Sequence, residues 1–480
     1  MENNEKSKEK DNEALTSKVR LKPNDRNGEF RPFVVNHLSN SSLKPLINGF
    51  ENSKEIELGY STITKDKGTV KPTLKKKTLY LTGGALRDHL KNKTFSTYDC
   101  VTDASPDEIR LILTSKFAEI EEVKPESEDI QIQEKYKKLP NKNNKKKVFY
   151  VSRWDAQGNE MEFTVEVNDQ KIHLSPFSLN VKNRMLTPKQ VRFVTTLEED
   201  SMSRDLTMDS LYLKLRKNDG ENSELLDPQG GAYDLKNGLI VTVKPAEKAF
   251  SSDPYLPYRL ANLSARFAND GMIPPDLVKI IQNVDEVEGV KRHNLKKYFI
   301  SSVENLDVPC DLYLRNLKEA YLAEKMFPGL KIHSIDTEIP NNRLIACAYL
   351  LQDNMPEKVN HVLTSMGWNK LDVENIVNLI QVANFAKNSY NPELIYNLFA
   401  KPISMTNSVV KDFLKTIKKI ELYNKIFSHD FSEIMKKYVE RDGKREINPK
   451  YIRFAERVPR TEELEDIRKK LFVQLVKGLL

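Results

Sequence analysis

Cysteine is nearly missing from this chain: Cys100, Cys310 and Cys347 are the three it has in 480 residues, and no two form a CxxC pair. That excludes a disulfide framework and a cysteine-based zinc site, and makes a reducing compartment the expectation, cytoplasmic by default with an organellar or viral origin left open. Long apolar runs are missing too. The longest, residues 344–351, falls far short of the roughly 20 residues that cross a bilayer, so no membrane partner is expected. The opening MENNEKSKEKDNEA has neither the apolar stretch of a signal peptide nor the acid-poor composition of a transit peptide. Glycine is scarce and aperiodic, 17 residues in all, which removes collagen-like classes. Charge of one sign is not in large excess: 76 Lys and Arg face 69 Asp and Glu, for a net +7. This leaves room for a phosphate-rich partner without demanding one.

What is present is a chain that is 39% hydrophobic and 30% charged, with length for about three domains at roughly 150 residues each. Residues 1–28 are polar, with acids and bases that nearly cancel, and are expected to be disordered. Residues 29–75 read as a loosely wrapped N-terminal extension. The pattern sharpens in 76–250. KTLYLTGG is a β-branched and aromatic run stopped by two glycines, a strand ending in a tight turn, and ALRDHLKNK continues as a helix. TYDCVTD is a second strand. SPDEIRLILTSKF carries Ser105 as N-cap, Pro106 at the first helical position and Glu108 three residues after the cap. Residues 119–147 form a charge-segregated insertion, read as a solvated loop, with a basic finger touching RNA as the alternative. VFYVSRW and EMEFTVEV flank a DAQGN turn as a hairpin. Residues 197–217 read as a helix, and DPQGGAYDLKNGLI as a Gly-rich connector into a strand, with Gly230 and Gly231 its hinge. Beyond about residue 250 helical spacing dominates, giving helical domains at 251–335 and 336–480.

The strand, the Gly83-Gly84 turn and the helix after it would let backbone N–H groups approach a phosphate closely. Downstream come an acidic strand position, Asp99, then EEDSMSRDLTMDSLYL and DPQGGAYDL, in that order. Together these resemble the class II tRNA nucleotidyltransferase (CCA-adding) and bacterial poly(A) polymerase family over about residues 78–267. That family's GGxVRD is met by Gly83, Gly84, Ala85, Leu86, Arg87 and Asp88. Its DxD is met by Thr97-Tyr98-Asp99, RRDFTINAL by residues 203–211, DPFGGxxDL by Asp227 to Leu235, and ExDPLRxLRAxRF by SSDPYLPYRLANL. The resemblance implies an α+β fold: a polymerase-beta-like nucleotidyltransferase head with a mixed sheet of about five strands, followed by an all-helical neck, body and tail. It also implies template-independent addition of nucleotides to an RNA 3′ end by a two-metal mechanism. ATP or CTP would be the substrates and Mg²⁺ or Mn²⁺ the cofactor, with a tRNA or other RNA 3′ end as partner; the oligomeric state is open. Asp99 and Glu162 (Glu166 as alternative) would hold the metal, Gly83, Gly84, Arg87 and Asp88 the triphosphate, and Arg204, Asp205, Asp253 and Arg259 the rest of the nucleotide.

The chain departs from that pattern where the chemistry is concentrated. The first carboxylate of DxD is Thr97, whose neutral hydroxyl is a poorer Mg²⁺ ligand than a carboxylate. The ribose-motif asparagine is Asp209 and the arginine ahead of it Ser203. Of the Glu, Asp and Arg that read the base, the chain has Ser252, Asp253 and Leu256. Two functions are compatible with this: an active RNA 3′-end nucleotidyltransferase, or a descendant that keeps the fold to bind RNA or scaffold an assembly. His429-Asp430, a dipeptide found in metal-dependent phosphohydrolases, has none of their other ligands in sequence and reads as surface.

Overall fold

The computed structural model describes residues 42–480, apart from 58–61, 64–68, 71–72, 94, 96, 123–147, 155–159, 168–169, 181–190, 217–223, 284–289, 388–389, 397–398, 400–406 and 442–443. The expected disorder of 1–28 and nearly all of the charged insertion lie outside the described residues. The chain divides into two compact units, Met1–Leu256 and Pro257–Leu480.

The first unit is built on eight strands: β1 (Leu79–Thr82), β2 (Thr97–Thr102), β3 (Glu121–Glu122), β4 (Val148–Trp154), β5 (Glu160–Val167), β6 (Gln170–Pro176), β7 (Tyr212–Lys214) and β8 (Leu225–Leu226). Their order across the sheet is β8-β7-β1-β2-β6-β5-β4-β3. The β2–β6 and β3–β4 pairs are parallel and the others antiparallel, so the sheet is mixed. It is wider than the about five strands expected because very short strands extend its edges.

Period-2 alternation decides what each face carries. Leu81, Cys100, Leu174 and Phe163 stand side by side across four strands, and all are buried. Against the sheet and one another pack α1 (Lys44–Glu51) and α3 (Pro106–Thr114), whose Leu46, Ile47, Phe50, Ile109, Ile112 and Leu113 are buried. Each such side chain contributes about 1.5–3 kcal/mol on leaving water. The extension thus contributes a core helix where a loose wrap was expected. Gly49 lets it in: a Cβ there would come within 2.9 Å of Ile112. Helix α3 starts at the expected capping box: the Ser105 N–H donates to Glu108 Oε2 at 2.8 Å, and Ser105 Oγ accepts from the Glu108 N–H. Lys77 pairs with Glu108 at 2.7 Å.

Stepping one residue along each strand gives the other face, where Thr82, Asp99, His173 and Thr164 stand in a row. One end of this face is closed by an apolar cluster of Val101, Phe177, Val194, Leu197 and Tyr212, with Tyr80 against it. The polar row is left beside it.

Two expectations for this unit are corrected. Residues 197–217 are not one helix: they form α4 (Leu197–Ser201), a 3₁₀ turn at Thr207–Asp209 and strand β7. Pairing of Tyr212–Lys214 with β1 overrides the local helical reading. The Gly-rich connector leads into a helix, α5 (Gly231–Lys236), and beyond that helix the expected strand is reduced to an isolated bridge between Leu206 and Thr242.

The second unit is helical from Pro257 onward, except for one described hairpin, Tyr438–Arg441 with Lys444–Ile447. Phe299 packs against Tyr313, Phe327 and Trp368 at its core. The buried Asn316 ties it together, accepting from the Ile273 N–H and donating to Ala261 and Gly271 carbonyls. The apolar run at 344–351 lies in a buried helix, Arg343–Leu351. Among the described residues no helix is long and apolar enough to cross a membrane. All three cysteines are free and buried, and burial pushes the Cys310 thiol up to about 12.

Candidate functional site

The turn from β1 into α2 (Gly83–Leu90) forms the floor of the site. Gly83 has φ +65°, in the left-handed region, and a Cβ on it would sit 3.3 Å from Asp99 Oδ2. Glycine is therefore required twice over, by the backbone and by the carboxylate lying against it. That carboxylate faces the α2 N-terminus, where free N–H groups favour negative charge. Burial nevertheless raises the Asp99 pKa; Asp209 and Glu162 add to the rise, and His173 and Arg204 oppose it.

Arg87 lies under Gly84, where a Cβ would be 3.4 Å from its Nη2. Its guanidinium is almost wholly buried and already held by acids: Nη1 donates to Asp209 Oδ1 at 2.6 Å and Nε to Asp88 Oδ1 at 2.8 Å. Burial lowers the Arg87 pKa, but Asp209 and Asp88 more than offset it and the net shift is upward. Asp209 is raised by burial first, with Asp205 and Asp88 adding and Arg87 opposing.

Arg204 forms a second buried network behind the site. Its Nη2 donates to Asp200 Oδ2 at 2.9 Å, the Tyr212 hydroxyl donates to the same oxygen at 2.7 Å, and the Ser178 N–H donates to Asp200 Oδ1 at 2.9 Å. Burial opposes its charge, yet Tyr212 and Asp200 raise its pKa overall. The 3₁₀ turn that delivers Asp209 is fixed from outside: Thr207 Oγ1 donates to Asp234 Oδ2 at 2.5 Å, and the Thr207 N–H to the Val241 carbonyl at 3.0 Å. Asp227 caps α5 by accepting from the Gly231 and Ala232 N–H groups at 2.7 and 3.0 Å.

Of the residues singled out in sequence, Gly83, Gly84, Arg87, Asp88 and Asp99 meet at this turn, Glu162 stands on the same sheet face against His173, Arg204 lies behind it, and Asp205 adds to the rise at Asp209. Asp253 Oδ1 accepts from the Tyr255 N–H at 3.0 Å at the end of the helix Ala246–Ser252. Arg259 belongs to the second unit, on the helix Leu256–Phe267. Glu166, the alternative to Glu162, stands opposite Lys171, which in turn stands opposite Thr97. One residue was missed. His173 lies directly beside Asp99 in the β2–β6 ladder, and its Nδ1 is 2.8 Å from Glu162 Oε1. The alternation in KIHLSP placed it on a face, but nothing local in sequence says which strand lies next to it.

A cation can be tested against this donor set. Asp99 and Glu162 are two carboxylates on one face. Mg²⁺ is commonly held by that number, with water and substrate phosphates completing its shell. In number and type they would suit one such ion. They do not fit the pair used in two-metal chemistry, since Thr97 replaces a carboxylate. Among the described residues no group of three or more His, Cys, Asp or Glu side chains is arranged to hold a metal.

Residues 79–241 match the family model of the poly A polymerase head domain. The CCA-adding enzyme of Francisella tularensis subsp. novicida is 26% identical over 181 residues, 37% of this chain and 45% of that protein. The multifunctional CCA protein of Actinobacillus pleuropneumoniae serotype 5b is 37% identical over 90 residues, 18% of this chain and 20% of its own. The chain thus spans less than half the length of these curated relatives. Among solved structures, the Thermotoga maritima CCA-adding enzyme complexed with tRNA_CCA aligns over 91% of both chains, with a TM-score of 0.49 and 14% identity.

Proposed function

We propose that this chain, whose residues 79–241 match the family model of the poly A polymerase head domain, is a template-independent nucleotidyltransferase that extends an RNA 3′ end, of the CCA-adding or poly(A) type. The observation that carries the reading is the meeting of the Gly83-Gly84 turn with Asp99 and Glu162 on one sheet face. The names of the relatives, CCA-adding enzymes and multifunctional CCA proteins, support a tRNA 3′ end as the acceptor and ATP or CTP as the donor.

In this reading the α2 N-terminus and the two glycines receive the triphosphate, because unpaired N–H groups and the absence of Cβ atoms let phosphate oxygens approach. Arg87 borders that space but acts through Asp88 and Asp209, so it contributes less positive charge than a free guanidinium would. Arg204 keeps Asp200 and Tyr212 in place beneath and lends Asp99 a favourable field. Asp205 and Asp253 shape the nucleoside end. Asp99 and Glu162 would hold a single Mg²⁺ or Mn²⁺ whose charge offsets that of the phosphates.

A second reading, retention of the fold for RNA binding without catalysis, is favoured by Thr97 and by the His173 contact to Glu162. Incorporation of labelled ATP and CTP into a tRNA lacking its CCA end, and into a generic RNA, separates the two. The enzyme reading expects incorporation by the wild type, loss in Asp99→Ala, and a gain of about tenfold, or 1.4 kcal/mol of barrier, in Thr97→Asp. An inert wild type that becomes active only as Thr97→Asp would overturn it in favour of the second.

A further inference from the structure

Glu162 and Asp99 stand on one face of the sheet, yet they are not equivalent. Asp99 stands in the middle of the sheet against Gly83, and Glu162 reaches it diagonally from β5, two residues along from Thr164. Between the two strands that carry them runs β6, and the residue it presents at that row is His173. Its Nδ1 meets Glu162 Oε1 at 2.8 Å, with both side chains partly sheltered, 35% and 22% exposed. A ring nitrogen at that distance occupies the side of the carboxylate oxygen that a cation would approach. A histidine in that row could either add a nitrogen ligand or compete for the carboxylate. Its contact is with Glu162, and no three-ligand arrangement exists among the described residues, so the geometry favours competition.

We propose that His173 is a positioning residue that withholds Glu162 from the cation, so that the head binds divalent ions weakly by itself and gains affinity when a nucleoside triphosphate supplies further oxygens. This rests on the reading of Asp99 and Glu162 as the cation carboxylates, and it assigns the site an ordered entry: triphosphate first or together with its ion.

Mn²⁺ alone, titrated into the full chain and followed through the electron paramagnetic resonance signal of the free ion, tests this without RNA or turnover. A failed transfer assay therefore leaves the outcome readable. His173→Ala is expected to tighten Mn²⁺ binding by about tenfold, the scale on which residues behind metal ligands act. Adding Glu162→Gln should remove that gain, and His173→Gln, which still fills the space beside Glu162, should stay near the wild type. Unchanged or weaker binding in a folded His173→Ala overturns the proposal; weaker binding would make His173 a ligand. Glu162→Gln in the wild-type background gives an independent check if His173→Ala does not fold. Little change in Mn²⁺ affinity supports the proposal, and a loss of tenfold or more overturns it.

Discussion

Two carboxylates, Asp88 and Asp209, share one buried guanidinium at the edge of the phosphate site, and a third, Asp205, lies near enough to raise Asp209. With Asp99 and Glu162 beside them, acids outnumber Arg87, Arg204 and His173 where a polyanion would bind. Asp209→Asn keeps the shape and an acceptor for Arg87 while removing one negative charge, so the affinity for ATP should rise several-fold, on the scale of about 1 kcal/mol for a nearby charge. Calorimetric titration with ATP measures this, and a lower affinity would mean that Asp209 binds the nucleotide itself. Gly231 shows a different constraint. A Cβ there would lie 1.9 Å from the Thr207 carbonyl oxygen, a contact of backbone on backbone that no rotamer relieves. Gly231→Ala should therefore destabilise the first unit by about 3 kcal/mol or more, read as a lower urea midpoint. The neighbouring Gly230, at φ +74° with open space around it, should respond to the same substitution with a smaller loss.

At the scale of elements, what sequence disclosed was what short-range chemistry determines. The strand stopped by Gly83-Gly84, the Ser105 capping box and the β4–β5 hairpin, Val148 to Val167, are each set within a short stretch of chain, and each stands where it was expected. The 3₁₀ turn and strand within 203–214 were hidden because distant partners set their conformation: Asp234 and Val241 hold the turn, and β1, more than a hundred residues earlier in the chain, pairs with the strand. His173 was hidden for the same reason: its neighbour Asp99 arrives through a parallel crossover whose register no local pattern records. The second unit offers an element-level test with a definite sign. In the helix Leu464–Leu479, burial alone would raise the Glu465 pKa, but hydrogen bonds from Arg468, Lys437 and Tyr396 outweigh it and hold the group down to about 2. A depressed carboxylate contributes stability that is complete above its unfolded value, near 4.5, and is lost as pH falls through the folded one. The melting temperature of the wild type should therefore exceed that of Glu465→Gln by a constant margin above about pH 5.5. The margin should close between there and about pH 2; one that persisted at the acid end would show that the pair contributes through packing alone.

For the whole molecule, the question is how a chain with a net charge of only +7 would hold RNA. The described basic residues are often already committed: Arg468 to Glu465, Lys469 to Glu393, Lys450 to Glu433, Arg343 to Asp372 and Glu304. Each such base must give up an acid before it meets a phosphate, so few counterions would be released on binding. The plot of log affinity against log salt for a tRNA lacking its CCA end should then be shallow, with a slope of about −2 to −4 between about 50 and 200 mM salt. Fluorescence anisotropy of the labelled tRNA measures it. A slope of about −8 or steeper would require a dense run of bases not already paired. The sequence contains one candidate, KYKKLPNKNNKKK, within 119–147 and outside the described residues. Deleting 123–147 then decides between the two sources. If the bases of the folded units carry the RNA, the deletion leaves the slope unchanged. If the lysine run carries it, the slope falls by roughly one for each phosphate no longer neutralised, and the alternative reading of that insertion as an RNA-touching finger replaces the solvated loop.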